Sequence, residues 1–187
     1  LSIPFVTAKI AISKDYQTIN KKKKWITNIS SRKIVHLLRD KFDCILSTSK
    51  TINKDNSLLN CRIDGLDNNK PDLFIIDLKL ILKRKLLLNK LLNKRKTYLV
   101  TNKQNAKKIS AFRKLGYKII LISRLKDKND FNLLYKKIYQ LGYSRIFVET
   151  GLTFLNTLLK NKLIHDLYIF KSDIKIGKNG RNNDTMK

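Results

Sequence analysis

The 187-residue chain is short of several residue types at once. Two cysteines, Cys44 and Cys61, cannot build a disulfide framework, and neither stands in a C-x-x-C pair or near a histidine at metal-ligand spacing. Apolar runs are short: Leu73–Leu82 is broken by Asp77 and Lys79, so no segment can span a bilayer, and no secretory signal opens the chain. These absences fit a reducing cytoplasm. Internal repeats and low-complexity linkers are missing as well. Acidic residues are few, 14 Asp+Glu against 41 Lys+Arg, which leaves a net charge of +27.

What is present qualifies that charge. The basic residues are 32 Lys and only 9 Arg, and the chain holds 23 Ile and 18 Asn against 4 Ala and 6 Gly. Lys, Asn and Ile are residues of A/T-rich codons, so a skewed genome can raise the charge without a functional demand. A nucleic-acid binder more usually concentrates Arg, whose planar fork binds base edges and phosphates bidentately. With 42% hydrophobic residues the chain can fill the core of one ordinary domain, which argues against wholesale disorder.

Ile3–Ile12 is rich in β-formers and ends at the polar turn Ser13-Lys14-Asp15. After the lysine run Lys21–Lys24 and Trp25, residues Asn28 to Ser31 offer N-caps for a helix whose apolar face is Ile34, Leu37, Leu38 and Phe42. Cys44–Leu46 reads as a short strand, Ser47–Asn60 as loop with room for a helical turn, Cys61–Ile63 as a returning strand, and Asp64–Pro71 as a turn-rich connection. From Asp72 a regular alternation follows. Strands are predicted at Leu73–Ile76, Thr97–Thr101, Lys118–Ile122, Arg145–Val148 and Asp166–Phe170, with helices at Asn105–Leu115, Asp130–Leu141 and Thr153–Lys160. This pattern predicts an α/β fold of three αβα layers around a mostly parallel sheet. Past Gly177 the Asn/Lys/Gly-rich tail, 178–187, is expected to fray.

Ligands of such sheets bind outside the carboxyl ends of the strands. Four places qualify: Lys9 to Asp15, Ser47 to Arg62, Asp77, and Glu149 to Thr153. In the last, a Gly and a Thr at a strand-to-helix junction let backbone N–H groups approach an anion, although the same pair also makes an ordinary helix start. Arg39 and Arg62 carry fixed positive charge and, read alone, suit surface ion pairs. Asp55 alone is a solvated turn residue, and Trp25 alone a core or rim aromatic.

The order of the motifs narrows these readings. Pro4-Phe5-Val6-Thr7-Ala8-Lys9-Ile10-Ala11-Ile12-Ser13 comes first, then Trp25-Ile26-Thr27, Leu38-Arg39, and Thr51, Asp55, Leu59 and Arg62 in the spacing T-x-x-x-D-x-x-L-x-x-R. Val148-Glu149-Thr150-Gly151-Leu152-Thr153 closes the series. From Pro4 to about Gly177 the chain resembles the reductase domain of the bifunctional riboflavin-biosynthesis deaminase/reductase, a relative in fold of dihydrofolate reductase. The resemblance implies a reductase domain over 1–177 that uses NADPH to reduce the ribosyl group of 5-amino-6-(5-phosphoribosylamino)uracil to a ribityl chain. It implies catalytic roles for Lys9 and Glu149, and substrate contacts at Lys23, Arg39, Leu59, Arg62 and Glu149. Cofactor contacts are implied at Ala11, Trp25, Thr51, Asp55, Gly151, Leu152 and Thr153.

The chain departs from the family in several places. Tyr16 replaces a turn glycine, Lys23 and Leu78 replace serines, Asp55-Asn56-Ser57 stands for D-D-P, and Leu152 and Asn156 reduce the Gly-rich late motif. These changes bear on affinity for the cofactor's 2′-phosphate. Neither H-x-E nor P-C-x-x-C occurs, so the zinc deaminase half is not in this chain, and His36 and His165 read as structural. Leu1 in place of an initiator Met reads as a piece of a longer polypeptide, with a fused deaminase domain expected upstream. The fold's relatives imply a homodimer. Two other functions remain open at this point: a related reductase of another pyrimidine or pterin, and a basic nucleic-acid-binding module, which would lose duplex affinity steeply with salt.

Overall fold

Alternation along the strands sorts the apolar side chains onto two faces of one sheet. The computed structural model describes residues 3–23, 25–66, 71–103 and 105–185. Its strands are β1 (Phe5–Ile12), β2 (Ile19–Asn20), β3 (Cys44–Thr48), β4 (Asp72–Ile76), β5 (Thr97–Thr101), β6 (Lys118–Leu121), β7 (Arg145–Glu149), β8 (Asp166–Lys171) and β9 (Gly180–Arg181). Seven of them form a sheet in the order β6-β5-β4-β3-β7-β1-β8, with every neighbouring pair parallel.

Val6, Ala8, Ile10, Leu46, Phe74, Val100, Ile146 and Val148 point to the face covered by α4 (Lys128–Gln140) and α5 (Leu152–Lys160). Ile45, Leu73, Ile75, Leu99 and Phe147 point the other way. There they meet α1 (Ile29–Lys41), α2 (Ser49–Asp55), α3 (Ala106–Lys114) and the 3-10 turn Leu87–Leu91. The three layers and the parallel sheet are therefore as the periodicity and the short loops predict. Helix starts follow local chemistry: the Asn28 side chain accepts from the Ser31 N–H at 2.8 Å, and Asp127 and Asp130 form a capping box for α4.

Three local expectations change. Cys61–Ile63 is not a strand; its neighbours' carbonyls are taken by arginine side chains, and β3 already has β4 and β7 as partners. Ser49–Asp55, read mostly as loop, is a full helix, because Thr48 caps it and Ile52 is completely buried. The tail beyond Gly177 does not fray through Thr185. Instead β9 pairs antiparallel with β2, and Asn182 accepts from the backbone and hydroxyl of Thr18 at 2.8 Å each. Lys24 of the lysine run, 67–70 of the turn-rich connection and 186–187 of the tail lie outside the described residues.

Asp15 explains the ordered tail. Its carboxylate accepts from the backbone N–H groups of Ile176 at 3.0 Å and Gly177 at 2.8 Å and from the Ser13 hydroxyl at 2.7 Å. The Ile176 amide, then Ser13, then Gly177 hold its pKa far below the usual carboxylate range. The next residue, Tyr16, takes a left-handed conformation (φ 59°) that a glycine adopts freely. Replacing Asp15 with Ala is expected to release the tail while leaving the sheet intact. Hydrogen exchange will show it as lost protection over 176–182 with β3, β4 and β7 unchanged.

Candidate functional site: a charged cleft at the carboxyl edge of the sheet

Because the sheet is parallel, β1, β3, β4 and β7 all end on one edge, and a cleft of about 1120 Å³ opens there. Its centre is set by strand register. Lys9 of β1 lies opposite Glu149 of β7, so both side chains leave the same face, and Lys9 Nζ is 3.4 Å from Glu149 Oε2. From α1, Arg39 closes the other side: its Nε donates to Glu149 Oε1 and its second terminal nitrogen to Oε2 at 2.9 Å. The remaining terminal nitrogen donates to the Asn60 carbonyl at 3.0 Å. Glu149 and Arg39 are buried, with 4% and 8% of their surfaces exposed, while Lys9 keeps partial access to the cleft. Burial alone would raise the Glu149 pKa; the charges of Arg39 and Lys9 overcome it and bring the carboxyl down to about 2.

A loop carries the next group of residues. Leu59 is buried in a left-handed conformation (φ 49°), followed by Asn60, Cys61 and Arg62. Arg95, which motif reading passes over, holds this loop from beneath. Its guanidinium, only 6% exposed, donates to the carbonyls of Leu58, Leu59 and Pro71. Burial and the charge of Arg39 are partly offset by Asp72, and the Arg95 pKa falls to about 10. No short-range pattern marks such a residue, because its partners are backbone carbonyls more than 20 positions away. His36, which reads as structural rather than metal-binding, lines the cleft one turn before Arg39 on α1. The i, i+3 spacing from His36 to Arg39 was the available signal.

At the other end, the Thr51 hydroxyl lies 3.0 Å from that of Thr48 and accepts from the Gly151 N–H at 3.3 Å, joining α2 to the start of α5. Gly151 caps α5 with no side-chain bond, and the neighbouring Thr150 hydroxyl is buried without a partner. Ala11, Lys23, Asp55, Leu152 and Thr153 line the same cleft, and so does Trp25, whose half-exposed ring faces the Arg32 guanidinium at 5.0 Å. The cleft thus gathers every residue for which the resemblance implies a substrate, cofactor or catalytic contact. Asp77, at the end of β4, turns inward: it accepts from Ser49 at 2.8 Å and from the backbone of Ile81 and Leu82, pinning the following loop. His165 is remote from the cleft: it accepts from the Val6 N–H at 3.0 Å and stacks on Phe5. Among the described residues no cluster of His, Cys, Asp or Glu could hold a metal, and no helix is long and apolar enough to cross a membrane.

Residues 4–183 match the family model described as the RibD C-terminal domain. The chain belongs to that family. It is 32% identical over 165 residues to the 5-amino-6-(5-phosphoribosylamino)uracil reductase of Buchnera aphidicola, covering 82% of this chain and 77% of that protein. It is 28% identical over 171 residues to the riboflavin biosynthesis protein RibD of Aquifex aeolicus, covering 89% of this chain and 46% of the relative. Among solved structures, RibD of Acinetobacter baumannii superposes over the whole chain with a TM-score of 0.82 at 19% identity, covering 51% of that chain. The riboflavin biosynthesis reductase Rib7 of Saccharomyces cerevisiae does so with a TM-score of 0.76 at 21% identity, covering 81% of that chain. This chain spans about half the length of the RibD proteins it matches.

Three outcomes follow from the buried charges. Glu149→Gln leaves Arg39 and Lys9 facing a neutral amide and is expected to cost about 3–5 kcal/mol, read from urea unfolding. The folded-state pKa of Glu149 lies below its ordinary value of 4.5, so its stabilisation is complete above that pH and is lost as pH falls toward about 2. Unfolding midpoints between pH 6 and 2.5 should therefore drop less in Glu149→Gln than in the natural chain. Arg95→Met strips three carbonyls of their donor and should lower stability by about 3 kcal/mol, measured the same way.

Proposed function

We propose that the chain is an NADPH-dependent reductase that converts the phosphoribosylamino group of a 5-aminouracil to a ribitylamino group. The observation that carries this reading is Lys9, held by a buried Glu149–Arg39 pair, facing a cleft whose far end is the uncapped start of α5. The residues suit a nicotinamide dinucleotide. The orphaned Thr150 hydroxyl and the free first-turn amides of α5 offer donors to a pyrophosphate, and the Trp25 ring offers an apolar wall. Lys50, Lys54 and Lys79 line the same cleft and supply positive charge for a 2′-phosphate. When bound, the cofactor supplies the hydride.

The chain's own residues prepare the substrate for it. In the ring-opened sugar, the carbon attached to nitrogen is doubly bonded to it. Hydride adds to that carbon, and a proton goes to the nitrogen. The Lys9 ammonium, oriented by Glu149, polarises that bond and stands ready to hold the negative charge that builds up. Arg39 keeps Glu149 ionised, so that Lys9 stays fixed. Burial of the pair keeps water from competing for these charges. Both cysteines are free and buried, in keeping with a cytoplasmic enzyme.

The test is NADPH absorbance, which should fall only when the ribosylaminouracil phosphate is added. Without substrate-dependent oxidation by the folded protein, the reading fails. Lys9→Ala should lower kcat about 10²–10³-fold with a smaller change in KM, and unchanged turnover would remove Lys9 from the chemistry.

A further inference from the structure

The segment beyond Gly177 has no part in the reduction described above, yet it runs along the end of the cleft where α5 begins. Its root is firmly tied. The Lys21 N–H donates to the Asn179 carbonyl at 2.8 Å, and β9 pairs with β2. The Asn182 side chain accepts from the backbone N–H and the hydroxyl of Thr18 at 2.8 Å each and donates to the Tyr16 carbonyl at 2.9 Å. The backbone at Gly180 lies so close to Gln17 that a side chain there would collide with it.

Past Asn182 the chain leaves β2 and crosses to the exposed side of α5. Asn183 lines the cleft, and its carbonyl accepts from the Thr153 hydroxyl at 3.4 Å. Two residues on, the Thr185 carbonyl accepts from the Asn156 side-chain amide at 2.8 Å. Asp184 lies between these contacts, so a carboxylate travels with the segment to the positive start of α5. Thr153 is the second residue of α5, at the helix end where the reductase reading seats a pyrophosphate. A carbonyl oxygen and a phosphate oxygen call on the same hydroxyl donor, and a carboxylate repels a phosphate. The closed segment and a pyrophosphate therefore compete for one helix end.

We propose that residues 183–185 form a strap that closes the cofactor end of the cleft and must lift off α5 before a dinucleotide binds. The proposal rests on the reductase reading. The hinge lies at Asn182, where the tied root meets the latched tip. The latch is Asn156, which is not among the residues that line the cleft. One hydrogen bond of ordinary worth shifts the ratio of closed to open strap about fivefold. A ligand that binds only the open form is weakened in proportion to the closed population, so loss of the latch tightens it by about the same factor.

The first experiment is NMR of the natural chain titrated with NADPH and, separately, with inorganic pyrophosphate. The Asn156 side-chain amide reports on the strap from outside the cleft. Both ligands are expected to move its signal toward the position it holds in a chain ending at Asn182. A signal that stays in place while NADPH binds overturns the proposal. The second experiment measures NADPH affinity from quenching of Trp25, the only tryptophan, which lines the cleft. Asn156→Ala, a substitution that favours the helix, should bind NADPH about fivefold tighter, and the chain ending at Asn182 about tenfold tighter. Unchanged or weaker binding by the shortened chain would make the strap a spectator or a support and sink the idea. Turnover by the natural chain separates the two readings. Release of the strap by pyrophosphate without NADPH oxidation defeats the proposed function and leaves the strap standing, whereas NADPH oxidation with an unresponsive strap does the reverse.

Discussion

The buried carboxylate of Glu149 is the constraint around which the cleft is arranged. An ionised carboxylate with 4% of its surface exposed is stable only if paired and fully hydrogen-bonded. Two elements supply the pairing, Lys9 from the neighbouring strand and Arg39 from α1. Meeting that demand fixes the tilt of α1 against the sheet, since the Arg39 fork must reach both oxygens. It also fixes the loop after α2, because the last branch of Arg39 takes the Asn60 carbonyl.

The second tier of support comes from side chains whose polar groups are spent on the protein's own backbone. Arg95 gathers the carbonyls of Leu58, Leu59 and Pro71, and Asp77 gathers the amides of Ile81 and Leu82. Each replaces secondary-structure bonding with a side chain, which lets irregular backbone stay buried beside the cleft. The left-handed Leu59 is tolerable in that setting because its neighbours leave it little alternative. Through that loop Arg95 also places Arg62, whose backbone N–H donates to His36 Nδ1 on α1.

The net charge of +27 takes on a different meaning in this setting. Most of it is spread over exposed lysines, whereas the cations that shape the cleft are three arginines and one lysine held by named partners. The background charge still favours the approach of anionic ligands, at a strength that physiological salt reduces.

Sequence alone determined the layers, the parallel sheet and the positions of Lys9, Arg39, Thr51, Glu149 and Gly151 along the chain. These are legible because period-2 and period-3.6 patterns and motif spacing are local properties. Only the tertiary structure decided what those residues do to one another. The Lys9–Glu149 contact depends on register between strands 140 residues apart in sequence. The loss of the expected strand at Cys61–Ile63 depends on arginines reaching in from distant elements, and the ordered tail depends on Asp15. That His36 lines the cleft is not legible either, because one helix turn does not reveal which face meets it. Long-range contacts of this kind have no signature in a window of neighbouring residues, since they arise only when the packed layers bring separate elements within a few ångströms.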